Sequence, residues 1–250
     1  MGDRDMSRQL TSGVLGRKKT LANDYIKRVI ADGGVVINEQ HVKDLFRNLN
    51  LDELQFYWDL NCGVRIENGQ IAQGYDLSQN QNDLFGSNCN FTENKGAEVI
   101  SGVVTTMKIG IPLWNRQYHR IKIDFEPTQL VNFRALFTNG ADIVSLPGVG
   151  HYFYDNGSTF MFISDGITRQ ILGVSPTSSI VQDEVNEIDI RWSGIANSEM
   201  TSIINNTETI VTPTVDFENS NQSYILFGGN RSMVSTLGVT GYISKIHITN

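Results

Sequence analysis

The hydrophobic period of this chain changes once, at Leu51, and the change dictates most of what the polypeptide can become. Downstream of it, short apolar runs alternate with polar residues and are punctuated by Asn, Gly, Ser and Asp, the pattern of half-buried strands separated by tight turns. Strands are predicted at 99–109, 120–125, 131–137, 152–154, 159–163, 187–192, 209–212, 223–227 and 239–248. Ile121, Ile123 and Phe125 oppose Lys122, Asp124 and Glu126. Such clean alternation means a sheet buried on one face and wet on the other, as in an antiparallel two-sheet sandwich and unlike a parallel sheet. No repeat of 20 to 50 residues is visible, which argues against a propeller or a β-helix.

Upstream of Leu51 the period is helical. Leu21, Ala22, Tyr25, Ile26, Val29 and Ile30 form one stripe, and Gly33-Gly34 supplies a stop, so a helix is predicted at about 20–32. A second, at 38–49, has Asn38 as N-cap, Glu39 in its first turn and Val42, Leu45, Phe46 and Leu49 on one face. Two short stripes cannot form a core alone and must pack on each other, on the β domain or on another copy of the chain. Three regions are therefore expected: a basic flexible arm at 1–19, a helical neck or docking segment at 20–50, and a β-sandwich at 51–250. The arm carries Arg4, Arg8, Arg17, Lys18 and Lys19 against two acids, without a hydrophobic period. These five bases are the predicted anchor to an acidic partner.

At 250 residues, 40% hydrophobic and 19% charged, the chain has enough apolar material for a large core. Its net charge of −7 argues against nucleic acid as the partner. No apolar run approaches the ~18 residues of a membrane-spanning helix, and no apolar stretch follows the N-terminal bases, so neither a membrane partner nor a secretory signal is expected. Cys62 and Cys89 stand apart without a Cys-x-x-Cys motif, and the four histidines are scattered. No zinc site, disulfide framework or cofactor is expected. Asp76, Asn80, Asn82 and Asp83 are weak calcium candidates, oxygen ligands in a loop whose composition also suits ordinary turns.

Residues 187–212 read as a strand ending in Trp192, a strand at 201–204, an Asn205-Asn206 turn and a return strand; "YILFGGNRS" and a closing "GVTGYISKIHITN" follow. This succession resembles the concanavalin A-like (laminin G-like) jelly roll over about residues 55–250. The lead-in, a helix ending in Gly-Gly, then "VKDLFRNLNL", then "FYWDLNCGVRIENGQIAQGYDLSQNQNDL", is similar to that of jelly-roll modules in tailed-phage virion proteins. The resemblance implies a mainly β fold, a two-sheet antiparallel jelly-roll sandwich preceded by two short helices. It further implies a structural protein of a phage particle, of head-fibre, capsid-decoration or tail accessory type. Such a protein would be made in the bacterial cytoplasm, attach to a capsid or tail protein and display the sandwich for a surface glycan; the single apolar stripe of the helical neck favours a homotrimer.

The same fold carries lectins and family 16 glycoside hydrolases, whose catalytic strand resembles "EIDIRW" at 187–192. On a strand Glu187, Asp189 and residue 191 share a face. Retaining hydrolysis needs two carboxyl groups about 5 Å apart, and where that strand carries its third carboxylate this chain has Arg191. A non-enzymatic role is expected, with Ile188, Ile190 and Trp192 facing the core and Glu187, Asp189 and Arg191 facing solvent. For a glycan, the candidate platform is Trp114, Tyr118, Tyr152 and Tyr154, with Phe153 beside them. A carbohydrate-binding module is the alternative reading, and a glycosidase the second.

Overall fold

A computed structural model of the chain describes residues 3–50, 53–100, 106–109, 119–139, 147–193, 195–216, 225–228 and 239–249. For residues 3–15 and for Thr106, His119 and Pro147 it describes the backbone alone. Two helices, α1 (Asp3–Ala31) and α2 (Glu39–Asn48), flank the short strand β1 (Val35–Val36). Next come β2 (Leu54–Asp59), β3 (Gly63–Glu67), β4 (Gln70–Gly74), β5 (Leu84–Ser87), β6 (Asn90–Thr92), β7 (Gly96–Val99) and β8 (Thr106–Ile109). They are followed by β9 (His119–Gln129), β10 (Arg134–Asn139), β11 (Pro147–Phe153), β12 (Thr159–Asp165) and β13 (Arg169–Gly173). The last are β14 (Asn186–Trp192), β15 (Met200–Ile204), β16 (Thr207–Val211), β17 (Ile225–Phe227) and β18 (Thr240–Thr249).

Every pairing among these strands is antiparallel, and two layers result. In the first, β16, β15, β14, β9 and β18 follow one another, and both β2 and β7 lie along the far edge of β18. In the second the order is β13, β12, β11, β10, β17, β8, β5, β4, β3, β1. Strand β6 pairs with both β4 and β7, which ties the layers into one nearly closed surface. Between them lies one core: Phe56, Trp58, Ile121, Ile123, Phe125, Ile188, Ile190 and Trp192 from the first layer meet Phe137, Phe153, Met161 and Phe227 from the second. The chain is a mainly β, two-layer antiparallel sandwich, as its alternation required. The β15–β16 turn is Asn205-Asn206 with φ of 49° and 67°, the type I′ geometry that asparagine tolerates.

The helices differ from the expected neck in two ways. First, α1 is one 29-residue helix from Asp3, so the segment 1–19, expected as a flexible arm, is helical from residue 3. It lacks proline, and a helix already nucleated by packing extends by one hydrogen bond for each residue added. The absence of a stripe told against burial, not against helix. Second, the helices are not a separable neck. Ala22, Tyr25, Val29, Val42 and Phe46 are buried in a second cluster with Leu54, Tyr57, Cys62, Tyr75 and Leu77 of the β domain. The helical layer thus covers part of the outer face of β2, the β2–β3 turn and the loop after β4.

Local chemistry explains how these helices stop and dock. Gly33 takes φ +77°; its N–H donates to Ile30 O and that of Gly34 to Val29 O, at 3.1 and 2.9 Å, a Schellman stop. Asn38 Oδ1 accepts from His41 N at 2.9 Å, the expected N-cap. Lys18 Nζ donates to Arg47 O and Leu49 O at 2.9 and 3.2 Å, satisfying carbonyls that the end of α2 leaves open. Tyr25 Oη donates to Tyr75 O and accepts from Gly63 N, at 3.1 and 2.8 Å. A Cβ on Gly63 would lie 2.5 Å from Val29 Cγ2, so the close approach of α1 to β3 requires glycine there.

Candidate functional site

The outer face of the first layer, beside the helical layer, carries an open groove of about 450 Å³. Registers across five strands assemble its floor. One row runs Tyr57, His247, Lys122, Asp189, Ile203 through β2, β18, β9, β14 and β15. A second runs Asp59, Lys245, Asp124, Glu187. In a third, Arg120 lies opposite Arg191. Leu49, the C-cap of α2, and Asn206 of the β15–β16 turn also line it.

Asp189 is the electrostatic centre. Arg120 Nε and Nη2 donate to its two oxygens at 2.8 and 2.5 Å, Arg191 Nη2 donates at 2.9 Å, and Lys122 Nζ stands 3.8 Å away. Burial alone would raise this carboxyl, but the bonds from Arg120 and Arg191 outweigh it and hold the group below the usual carboxylate range. Lys245 donates to Asp124 Oδ2 at 2.6 Å; burial opposes its charge, and the bond to Asp124 prevails and raises it. His247 packs edge-on against Tyr57, centroids 5.1 Å apart. Burial, then Lys122 and Arg120, push its imidazole down to about 4, and its buried Nε2 has no hydrogen-bond partner. A neutral imidazole, a buried tyrosine ring, exposed Glu187 and four part-exposed cations, Arg120, Lys122, Arg191 and Lys245, thus line one space. Such a set can bind hydroxyls and carboxylates by charge-assisted bonds.

Sequence reasoning placed Ile188, Ile190 and Trp192 in the core and Glu187, Asp189 and Arg191 on the other face, and the structure agrees. It differs in that Asp189 is 9% exposed and ion-paired, not a solvated ladder residue. Tyr57, Arg120, Lys245 and His247 also line the groove, and none of them is legible as a site residue in the sequence. Alternation told the face of Arg120 and Lys122, but no local signal tells which strands become neighbours.

Of the expected glycan platform, the described residues include only Tyr152, Phe153 and Tyr154. Trp114 and Tyr118 lie outside the described residues. Tyr152 is 3% exposed, on the outer face of the second layer, and stacks on Phe160 with centroids 5.4 Å apart. Tyr154 is half-buried and 4.5 Å from Phe160 by centroid; Phe153 faces the core. These rings pack on one another, because alternate residues of β11 and β12 present aromatics to the same face. Phe133 at its edge is 46% exposed and was not singled out.

The calcium candidates spend their oxygens and amides on the protein itself. The Asp76 carboxylate accepts from the N–H groups of Tyr57, Ser78 and Asn82 and from the Ser78 hydroxyl. Burial nevertheless pushes that carboxyl up. Asp83 takes Arg28 Nη1 on both oxygens, at 3.0 and 2.9 Å, plus Gln73 Nε2 and Asp76 N. Asn80 and Asn82 donate their amides to Leu54 O and Gln55 O. The loop is a clamp holding α1 to the sandwich. Of the five anchor bases, Lys18 is occupied at the end of α2, Arg17 and Lys19 are exposed, and the side chains of Arg4 and Arg8 lie outside the described residues.

No family model and no curated protein matches the chain by sequence. Solved structures do match by fold. Domain 4 of AbnA, a GH43 extracellular arabinanase from Geobacillus stearothermophilus in complex with arabinotriose, superposes with a TM-score of 0.56 at 14% identity, over 79% of this chain and 92% of that one. The binding domain of botulinum neurotoxin serotype D gives 0.56 at 12%, over 80% of this chain and 48% of that one. A type C botulinum neurotoxin structure, whose cell entry depends on interaction with two ganglioside molecules, gives 0.55 at 7%, with the same coverages of 80% and 48%. At these identities the likeness is one of fold, that of a two-layer β-sandwich.

Proposed function

We propose that this chain is a non-enzymatic glycan-binding β-sandwich, displayed on a phage particle by its N-terminal helical segment. The observation that carries the reading is the groove over β2, β18, β9, β14 and β15, whose volume of about 450 Å³ suits a small saccharide. Its guanidinium groups, Lys122, Glu187 and neutral His247 offer what a sugar needs, charged and neutral partners for hydrogen bonds to hydroxyls. The likeness to an arabinotriose-bound domain and to ganglioside-dependent toxin domains supports the same reading. The engagement of both Asp189 oxygens by Arg120 and Arg191 supports a binding role over hydrolysis, since no second free carboxylate stands beside Glu187 on β14. The particle role rests on the resemblance of the lead-in segment to phage jelly-roll modules.

The test is a glycan array that includes arabino-oligosaccharides and ganglioside headgroups, followed by NMR titration of the best binder. Resonance shifts concentrated at Glu187, Lys122, Tyr57 and His247, and at least a tenfold loss of affinity in Glu187→Gln or Lys122→Ala, are expected. Binding at other faces, or none across the array, overturns the reading. Release of reducing ends from any array glycan overturns its non-enzymatic half.

A further inference from the structure

Away from the open part of the groove, where α2 meets the β2–β3 turn, three chemically different side chains converge. His41 belongs to the first turn of α2, Asp59 ends β2, and Cys62 lies in the turn before β3. Their ligating atoms all lie within 4.8 Å of one another. We propose that His41, Asp59 and Cys62 form a binding site for one divalent transition-metal ion of the zinc class.

The backbone holds these groups in place independently of any ion. Cys62 N–H donates to Asp59 O at 2.8 Å, and Asn61 N–H to Asp59 Oδ1 at 2.9 Å, which leaves Oδ2 facing His41 Nε2 at 3.2 Å. The lead-in to α2 is pinned to the same turn, because Ile37 N–H donates to Cys62 O and Asn38 N–H to Asn61 O, at 3.1 and 3.0 Å. The three donors are thus fixed relative to one another by strand, turn and helix cap. Imidazole nitrogen, carboxylate oxygen and thiolate sulfur are together a donor set for zinc, and three protein ligands leave a fourth position for water. Bond lengths of about 2.0–2.3 Å to a tetrahedral ion put donors about 3.3–3.8 Å apart, so closure asks for a movement of about 1 Å. The His41 side chain, 34% exposed, can supply that movement by rotation and also opens the route for the ion. Cys62 is fully buried and Asp59 is 4% exposed, so the sulfur is shielded from bulk oxidants.

On binding, the Cys62 thiol gives its proton to solvent and forms the sulfur–metal bond. His41 binds through neutral Nε2, and its hydrogen bond to Asp59 is replaced by shared coordination. No electron transfer is involved. The bound ion would cross-link α2 to the β2–β3 turn and so fasten the helical layer to the sandwich.

Cobalt(II) titrated into the full-length, tag-free chain is the probe, because a thiolate ligand gives a charge-transfer band in the near ultraviolet and tetrahedral geometry gives intense visible bands. One equivalent should produce both, and zinc should displace them. Zinc should also raise the melting temperature of the wild-type chain and not that of His41→Gln or Cys62→Ser. His41→Gln alters a partly exposed side chain and should fold; it should weaken cobalt binding at least about tenfold. Cys89→Ser should leave the spectrum unchanged. Absence of the thiolate band in the folded wild-type chain overturns the proposal, and so does an unchanged cobalt affinity in His41→Gln or a band that vanishes in Cys89→Ser.

Discussion

Arg191 lies directly opposite Arg120 across the β9–β14 ladder, and both guanidinium groups close on the carboxylate of Asp189. Like charges facing each other in a ladder are destabilising, so the two arginines are compatible only because one acid lies between them. Asp189→Asn should therefore destabilise the chain by about 1–2 kcal/mol, the half-exposed arginines limiting the loss. Urea denaturation measures it. Arg191→Ala should cost less, because Arg120 retains its two-point contact. An equal or larger loss from Arg191→Ala would assign the stabilisation to arginine packing.

His151 is wholly buried between Phe137 and Phe153, and burial pushes its imidazole down to about 3. The folded state thus refuses a proton that the unfolded chain accepts near 6.5. Stability should fall as pH drops from 6.5 towards 3, with a slope of up to about 1.4 kcal/mol per pH unit from this group. His247, held at about 4, adds to the same window. Melting temperatures between pH 7 and 4.5 should decline less steeply in His151→Leu than in the wild type. Parallel curves would show that the acid sensitivity lies elsewhere.

The helical layer should be needed for the sandwich to remain soluble and cooperative. Removing residues 3–50 would expose Tyr57, Tyr75, Leu77 and Cys62, all buried in the cluster shared with α1 and α2. A chain lacking residues 3–50 should aggregate or melt without a sharp transition. Gly63→Ala, which sets a methyl group against Val29 and Tyr25, should cost about 1–3 kcal/mol by lifting α1. A truncated chain with native melting would restore the separable neck.

Deleting residues 2–17, which spares the Lys18 contact with the end of α2, should leave the melting temperature within a degree or two of wild type. If this part of α1 attaches the chain to a particle, the deletion should abolish incorporation in a reconstitution assay. Lys18→Ala should instead cost about 0.5–1 kcal/mol through the uncapped carbonyls of Arg47 and Leu49. Normal incorporation of the shortened chain would exclude that part of the helix as the attachment.

Period and turn chemistry made the sandwich legible: the alternation of Ile121, Ile123 and Phe125, the Asn205-Asn206 turn and the Gly33-Gly34 stop all appear in the structure as read. Burial of the helical stripe was legible too, though not its partner. Tyr25 meets Gly63 and Tyr75 across 38 and 50 positions of chain, and no local pattern encodes such a meeting. The groove was hidden for the same reason. Lys122 stands between His247 and Asp189 only because β9 is flanked by β18 and β14. Tyr152 misled because an aromatic in a predicted strand near a loop has the same sequence signature whether it faces solvent or a neighbouring ring.

Strand β18 lies inside the first layer, hydrogen-bonded to β9 on one edge and to β2 and β7 on the other. During synthesis it leaves the ribosome after every other described strand. Until it does, β9 lacks one neighbour, β2 and β7 have lost their shared seat, and the groove has no floor at His247 and Lys245. The strands made before it must therefore wait, partly assembled and with open edges, for β18 to arrive. Pairing partners so distant in sequence fold slowly. The time spent waiting, more than the final stability, should set how much of this protein a cell recovers in soluble form.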